Sequence, residues 1–151
     1  VNENDDLTIE PLCLTDLPWV LGLEACSFRR PWTDDNFRQE LASDFVVGLV
    51  GRDAAGEPVG YALGRLLFEE GHLLKIAVRP DARRRGVGAR LLAAFEAALV
   101  RGGASVAVLE VRVGNAPARW LYERSGWGLV SLRTRYYPDG EDGLLMLKRL
   151  A

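Results

Sequence analysis

Residues 76–90 read I-A-V-R-P-D-A-R-R-R-G-V-G-A-R, and this stretch limits the possible fold more than any other. An apolar run over 73–78 is ended by Pro80, arginines occupy positions 83, 84 and 85, and Gly86 and Gly88 stand where a long helix over about 87–100 begins. In that helix Val87, Leu91, Ala94, Phe95, Ala98 and Leu99 recur at helical spacing and make one apolar face, with Gly102 and Gly103 as its stop. A strand that feeds a helix through a basic, glycine-rich turn calls for a sheet covered by helices. The same turn is suited to anions, because the first N–H groups of a helix have no internal partner and the helix dipole adds positive charge. A diphosphate fits there. A tight turn with solvated arginines is the plainer reading of a G-x-G, and the stretch is neither a Walker loop nor the three-glycine dinucleotide fingerprint.

The flanking segments give the order strand, two helices, three strands, helix, strand, helix, two strands. After a polar opening over 1–6, a strand is predicted over 7–11. Asp16 reads as the cap of a helix running to about Phe28 with Pro18 in its first turn, and Thr33 as the cap of a second reaching about Ala42. Residues 45–51 and 59–67 form a hairpin around a turn over 53–58 that contains Gly56. A central strand over 106–111 precedes a helix that Asn115 caps and Gly126 ends, and two closing strands fall over 128–135 and 144–148. A chain of 151 residues that is 48% hydrophobic and 26% charged suits one domain over 1–151 with one core.

Charge and cysteine content narrow the partners. A formal net charge of -2 argues against nucleic acid, and no apolar run approaches the roughly 20 residues of a membrane helix. Cys13 and Cys26 fit neither a zinc site nor a redox pair, and with no signal peptide they point to a reducing cytoplasm. His72 is the only histidine, so one chain offers neither a metal site nor a histidine triad, and a solvated strand residue is the expectation for it.

Arg83-x-x-Gly86-x-Gly88, preceded by I-A-V-x-P and followed by an amphipathic helix, resembles the Q/R-x-x-G-x-G/A signature of the GNAT acetyltransferases. The likeness continues through Pro31-Trp32, L-E-V-R at 109–112, Gly114-Asn115, L-Y-E-R-S-G-W at 121–127 and R-Y-Y-P-D-G-E-D at 135–142. These segments are similar to those of the group that acetylates ribosomal-protein alanine. Lys75, where that group commonly has Asn, together with Arg29, Arg30, Trp127 and Gly143, departs from its pattern.

The resemblance implies an α/β fold with a mixed, mostly antiparallel sheet of 6–7 strands, splayed at an acetyl-CoA site and flanked by about 4 helices. It implies that Arg83, Arg84, Arg85, Gly86, Val87, Gly88 and Ala89 cradle the pyrophosphate of coenzyme A, and that Ile76, Ala77 and Val78 run beside its pantetheine arm, with a backbone N–H near Val78 polarising the thioester. Asn115 joins them, although helix capping alone explains an Asn there. It gives Glu110 the role of general base and Tyr122 that of general acid, and makes Pro31, Trp32, Tyr136 and Tyr137 contacts for a protein N-terminal peptide, a ribosomal protein among the possible partners.

Simpler readings stand beside these. Glu110 could be a strand carboxylate paired with Arg112, Tyr122 a core ring, Tyr136 and Tyr137 strand-edge packing, and Asp139, Glu141 and Asp142 turn residues. An α-amino group, with a pKa of about 7.7–8.0 against about 10.4 for lysine, asks less of a base. The rival functions are a lysine or small-amine acetyltransferase and, in another class, a non-catalytic acyl-CoA sensor.

Overall fold

The computed structural model of the chain describes residues 6–150, so most of the polar opening lies outside the described residues. The elements are β1 (Thr8–Pro11), α1 (Leu17–Ser27), α2 (Asp34–Leu41), β2 (Val46–Arg52), β3 (Pro58–Leu67), β4 (Glu70–Val78), α3 (Val87–Arg101), β5 (Val106–Arg112), α4 (Ala116–Arg124), β6 (Gly128–Arg133) and β7 (Gly143–Arg149). One sheet has the strand order β1-β2-β3-β4-β5-β7-β6, with every neighbouring pair antiparallel except β4 and β5. This is the mixed α/β architecture expected from the element order. Among the described residues no helix is long and apolar enough to cross a membrane.

Two helical layers cover the sheet. On one side α3 buries Leu91, Leu92, Phe95 and Leu99 completely, each such side chain contributing roughly 1.5–3 kcal/mol relative to exposure. Ala107, Leu109 and Val111 of β5 and Tyr122 of α4 join that core, while α1 and α2 pack Leu17, Val20, Leu23 and Phe37 against Val50, Tyr61, Leu63 and Ala77. Strand alternation therefore turns Glu110 and Arg112 away from α3, toward the α1 side. The α3 face of the sequence reading is right in outline. Ala94 and Ala98 lie at its half-buried margin, while Leu92 and Glu96 are inside, Glu96 paired with Lys148 at 2.5 Å.

Caps show where side chains compete. Thr33 accepts the Asn36 N–H at 3.2 Å and the Asn36 side chain returns the bond to the Thr33 N–H, so α2 starts as expected. Asp16 stands at the α1 cap position but makes no capping bond. A short 3-10 turn, Leu14–Asp16, precedes the helix, and the carboxylate instead accepts the Cys13 N–H at 2.9 Å and pairs with Arg52 at 2.6 Å. The strand expected to reach Arg135 stops at Arg133, and Arg135 takes a left-handed φ of 52°.

Among the described residues one buried side-chain polar atom lacks a partner, Nε1 of Trp127, whose ring packs against Tyr122 at 6.1 Å. An unpaired buried N–H costs about 1–3 kcal/mol, which offsets much of the area the larger ring buries. Trp127→Phe should therefore shift stability by under about 1 kcal/mol in thermal or urea unfolding, where a buried Trp→Ala costs about 3–5. A loss of about 3 kcal/mol would show that the indole N–H is well accommodated.

Candidate active site

β4 and β5 run side by side from the pair Glu70 and Val106 to the pair Leu73 and Leu109, and then part. The cause lies in β4. Leu63 faces Lys75 while the next residue, Gly64, faces Leu73, so Leu74 is an extra residue, a bulge that bends the strand. Beyond it 75–78 stay with β3 and 110–112 stay with β7, which opens a wedge between them.

The peptide groups facing this wedge follow from one hydrogen bond. The Arg79 N–H donates to the Val59 carbonyl of β3 at 2.8 Å, so alternation turns the peptide groups of Val78 and Ile76 into the wedge and that of Ala77 toward β3. Ala77 is thus corrected from a lining residue to a supporting one. Its side chain is buried against α1 and its backbone faces the other way.

At the wide end the turn after β4 shapes an anion cradle. Arg83 donates from Nε to the Val78 carbonyl at 2.9 Å and reaches Ser27 Oγ at 3.5 Å, tying the turn to the strand end and to α1. Its guanidinium shapes the loop. Arg84 and Gly86 both have left-handed backbones, φ 63° and 81°, an arrangement that lines successive N–H groups along a concave surface. The Arg90 N–H bond to the Gly86 carbonyl, 3.0 Å, leaves the N–H groups of Val87, Gly88 and Ala89 ahead of the first turn. A Cβ on Gly88 would sit 3.5 Å from Leu121 and 3.7 Å from Val78, so the start of α3 packs closely on β4 and α4. Arg84 and Arg85 are exposed beside it. Open amides, helix dipole and arginines together fit the diphosphate of coenzyme A, and the wedge edge fits an extended pantetheine arm.

At the apex stands Glu110, the first residue of β5 past its last pair with β4. Its Oε2 lies 2.6 Å from Nε2 of His72. The bland alternatives for these two residues are corrected: His72 is half-buried on the carboxylate rather than solvated, and Arg112 pairs elsewhere. Only the parallel register, which sets His72 opposite Val108, brings the histidine to Glu110.

Arg112 donates to Asp139 at 2.8 Å and to Glu141 at 3.0 Å, and its guanidinium lies 4.1 Å from the Tyr137 ring centre. The β6–β7 loop is thereby fastened to the end of β5. The Gly114 N–H adds a bond to Glu141 at 2.9 Å, and the Arg135 N–H one to Asp142 at 2.8 Å. Asp139 and Glu141 are therefore more than turn residues. The Glu141 N–H and Arg112 hold the Asp139 carboxyl below its ordinary range, and Arg112 with the Gly114 N–H does so for Glu141.

Tyr136 and Tyr137 meet edge to face at 5.0 Å and hang over Gly143, where a Cβ would come within 3.0 Å of Tyr136 and 3.2 Å of Tyr137. A glycine at 143 gives both rings their room. Burial pushes the Tyr137 hydroxyl up to about 12 against the opposing pull of Arg112. Burial also raises Tyr122, only 6% exposed, with Tyr137 near enough to add to the shift. Tyr122 therefore keeps its proton at any physiological pH. Its ring belongs to the α3 and α4 core, so its packing role stands beside any chemical one.

Asn115 caps α4 through its side chain, accepting the Ala118 N–H at 3.3 Å. Pro31 is exposed. Trp32 is half-buried, its ring 5.3 Å from Phe37 and its N–H given to Glu24 at 3.0 Å, so this residue anchors its loop. Sequence reasoning missed both His72 beside Glu110 and the buried Glu24, which accepts from Tyr61 and Lys75.

The acetyltransferase (GNAT) family pattern matches residues 18–127. Ribosomal protein bS18-alanine N-acetyltransferase of Escherichia coli is 33% identical over 142 residues, covering 92% of this chain and 95% of that protein. An N-alpha-acetyltransferase of Sulfurisphaera tokodaii is 39% identical over 146 residues, covering 88% and 87%. The crystal structure of the Escherichia coli enzyme superposes with a TM-score of 0.88 at 32% identity, over 96% of this chain and 94% of that one.

Proposed function

The chain belongs to the GNAT acetyltransferase family and is an acetyl-CoA-dependent N-acetyltransferase, and from that premise we propose that its acceptor is the α-amino group at the start of a protein. The Escherichia coli relative, named for a ribosomal-protein alanine, makes a ribosomal protein the first partner to try. The sensor alternative falls with the relatives being named as enzymes. A single catalytic domain over 1–151 and a cytoplasmic setting, in keeping with the free, exposed Cys13 and Cys26, belong to the same proposal.

The observation that carries the acceptor reading is the Glu110–His72 pair at the wedge apex, 2.6 Å apart and still in part accessible. A carboxylate at that point can take a proton from an incoming ammonium. An α-ammonium, with a pKa of about 7.7–8.0, gives up that proton more readily than a lysine at about 10.4.

Bound acetyl-CoA supplies an activated acyl carbon. Glu110 takes the proton of the incoming ammonium, directly or through a water, and His72 fixes the orientation of the carboxylate. The Val78 N–H, turned into the wedge, is the donor placed to polarise the acyl oxygen. Tyr122, protonated by virtue of burial, is the donor to the departing sulfur. Val87, Gly88 and Ala89 hold the phosphates through their amides, and Ile76 guides the arm. Pro31, Trp32, Tyr136 and Tyr137 border the approach of the peptide, so that amine and acyl carbon meet as if at high local concentration.

Incubation with acetyl-CoA and peptides that have either a free or a blocked amino end and one internal lysine tests this by mass spectrometry. Label is expected on the free terminus alone. Label on the internal lysine of blocked peptides at a comparable rate would replace this acceptor with a side-chain amine.

A further inference from the structure

Between α1 and the sheet lies a carboxylate with no exposure at all, Glu24, in the last turn of α1. Three donors converge on it: the Trp32 N–H at 3.0 Å, the Tyr61 hydroxyl and the Lys75 ammonium. The Lys75 side chain is only 9% exposed, and its Nζ also lies 4.3 Å from the Phe28 ring centre and 5.0 Å from that of Trp32. Nothing in the acetyl-transfer steps above uses either charge.

A buried ion pair is weak evidence for stability, since apolar residues of similar volume often do as well. What this one does is geometric. Lys75 is the first residue of β4 after the bulge, at the start of the arm that turns Ile76 and Val78 into the wedge. Phe28 and Trp32 bracket the loop between α1 and α2, which carries Pro31 toward the peptide approach. The Trp32 ring on Phe37 and the Thr33 cap hold the α2 end of that loop, and Arg29, 75% exposed and 3.6 Å from Asp139, adds an exposed pair of the kind that holds little. The internal contact is the one that ties the loop to β4.

We propose that Lys75 and Glu24 form a positioning pair that registers the 28–33 loop against the cofactor arm of β4, and so sets how tightly the enzyme takes its acceptor without touching coenzyme A. This rests on the acceptor reading above. Other polar residues on β4 would leave the Phe28 and Trp32 rings without a cation beneath them, so the pair is a specificity device of this chain's own residues.

The test uses the full chain with two changes, Lys75→Met alone and Lys75→Met combined with Glu24→Gln. The single change leaves a buried carboxylate without its cation and lowers the melting temperature, whereas the double change removes both charges together and recovers most of that loss. Both are expected to raise KM for an N-terminal peptide about tenfold or more. KM for acetyl-CoA should stay within about twofold and kcat within about threefold. Amide exchange at Trp32, followed by NMR, should quicken by about tenfold in the double variant while α3 amides keep their protection. A double variant that regains both melting temperature and acceptor KM would make the pair a matter of stability alone and overturn the proposal. Unchanged Trp32 exchange would overturn it as well. Should the wild type acetylate no N-terminal peptide, the acceptor reading fails and takes this inference with it; an active wild type beside an unaltered variant sinks this inference only.

Discussion

Gly86→Val is expected to weaken coenzyme A binding roughly 30- to 100-fold while the fold survives. Gly86 has φ 81° and ψ 7° at the cap of α3, in the left-handed region that a β-branched residue reaches only at a cost of about 1–3 kcal/mol. The chain can meet that cost by holding the turn under strain or by letting it relax. Relaxation swings the Val87, Gly88 and Ala89 amides off their common target, and a loss of about 2–3 kcal/mol corresponds to the stated range, at 1.4 kcal/mol per tenfold. Gly86 itself is exposed and belongs to none of the three apolar clusters, although its neighbour Val87 is in one, so circular dichroism should be unchanged and the urea midpoint should fall by no more than the backbone cost. Gly86→Ala, with one methyl group and the same left-handed demand, should fall between. Calorimetry that finds wild-type affinity in a folded Gly86→Val protein would move the phosphates elsewhere.

That turn was readable from the residue order because its physics is local. A strand end, a basic turn and a glycine before an amphipathic helix each declare themselves within a few residues, and the same holds for the Thr33 cap and the apolar face of α3. The wedge was less accessible. Its opening depends on the Leu74 bulge, and no residue type in L-L-K-I marks an extra position. Pairings across the sheet were the hardest. His72 and Glu110 are 38 positions apart and Lys75 and Glu24 51 apart, and only the register of β4 on β5 and the packing of α1 on β4 bring them together. Asp16 shows the opposite failure, a residue whose local preference for capping lost to a long-range partner, Arg52. Arg112 did the same, passing over a carboxylate two residues away for two on a distant loop, because alternation points it where β6 and β7 connect. Sequence proximity is a poor guide to ion pairs wherever a strand end meets a loop.

Glu110→Gln should lower kcat about 10²- to 10⁴-fold, the usual worth of a general base, and leave coenzyme A affinity within about twofold. The amide has the size and shape of the carboxylate and can still accept from His72, so the geometry at the wedge apex persists and the loss reports proton transfer. Without a base the enzyme depends on amine that arrives already neutral. The residual rate should therefore climb with pH as the acceptor loses its own proton near about 7.7–8.0. His72→Ala should cost less, about tenfold, because it frees the carboxylate to wander but leaves it in place. That ordering separates a base from a structural pair: if the contact served only to join β4 to β5, the two changes would hurt alike and would act through the melting temperature. Wild-type turnover in a folded Glu110→Gln enzyme would remove the carboxylate from the chemistry, and the burden would shift to holding an already neutral amine at the mouth of the wedge.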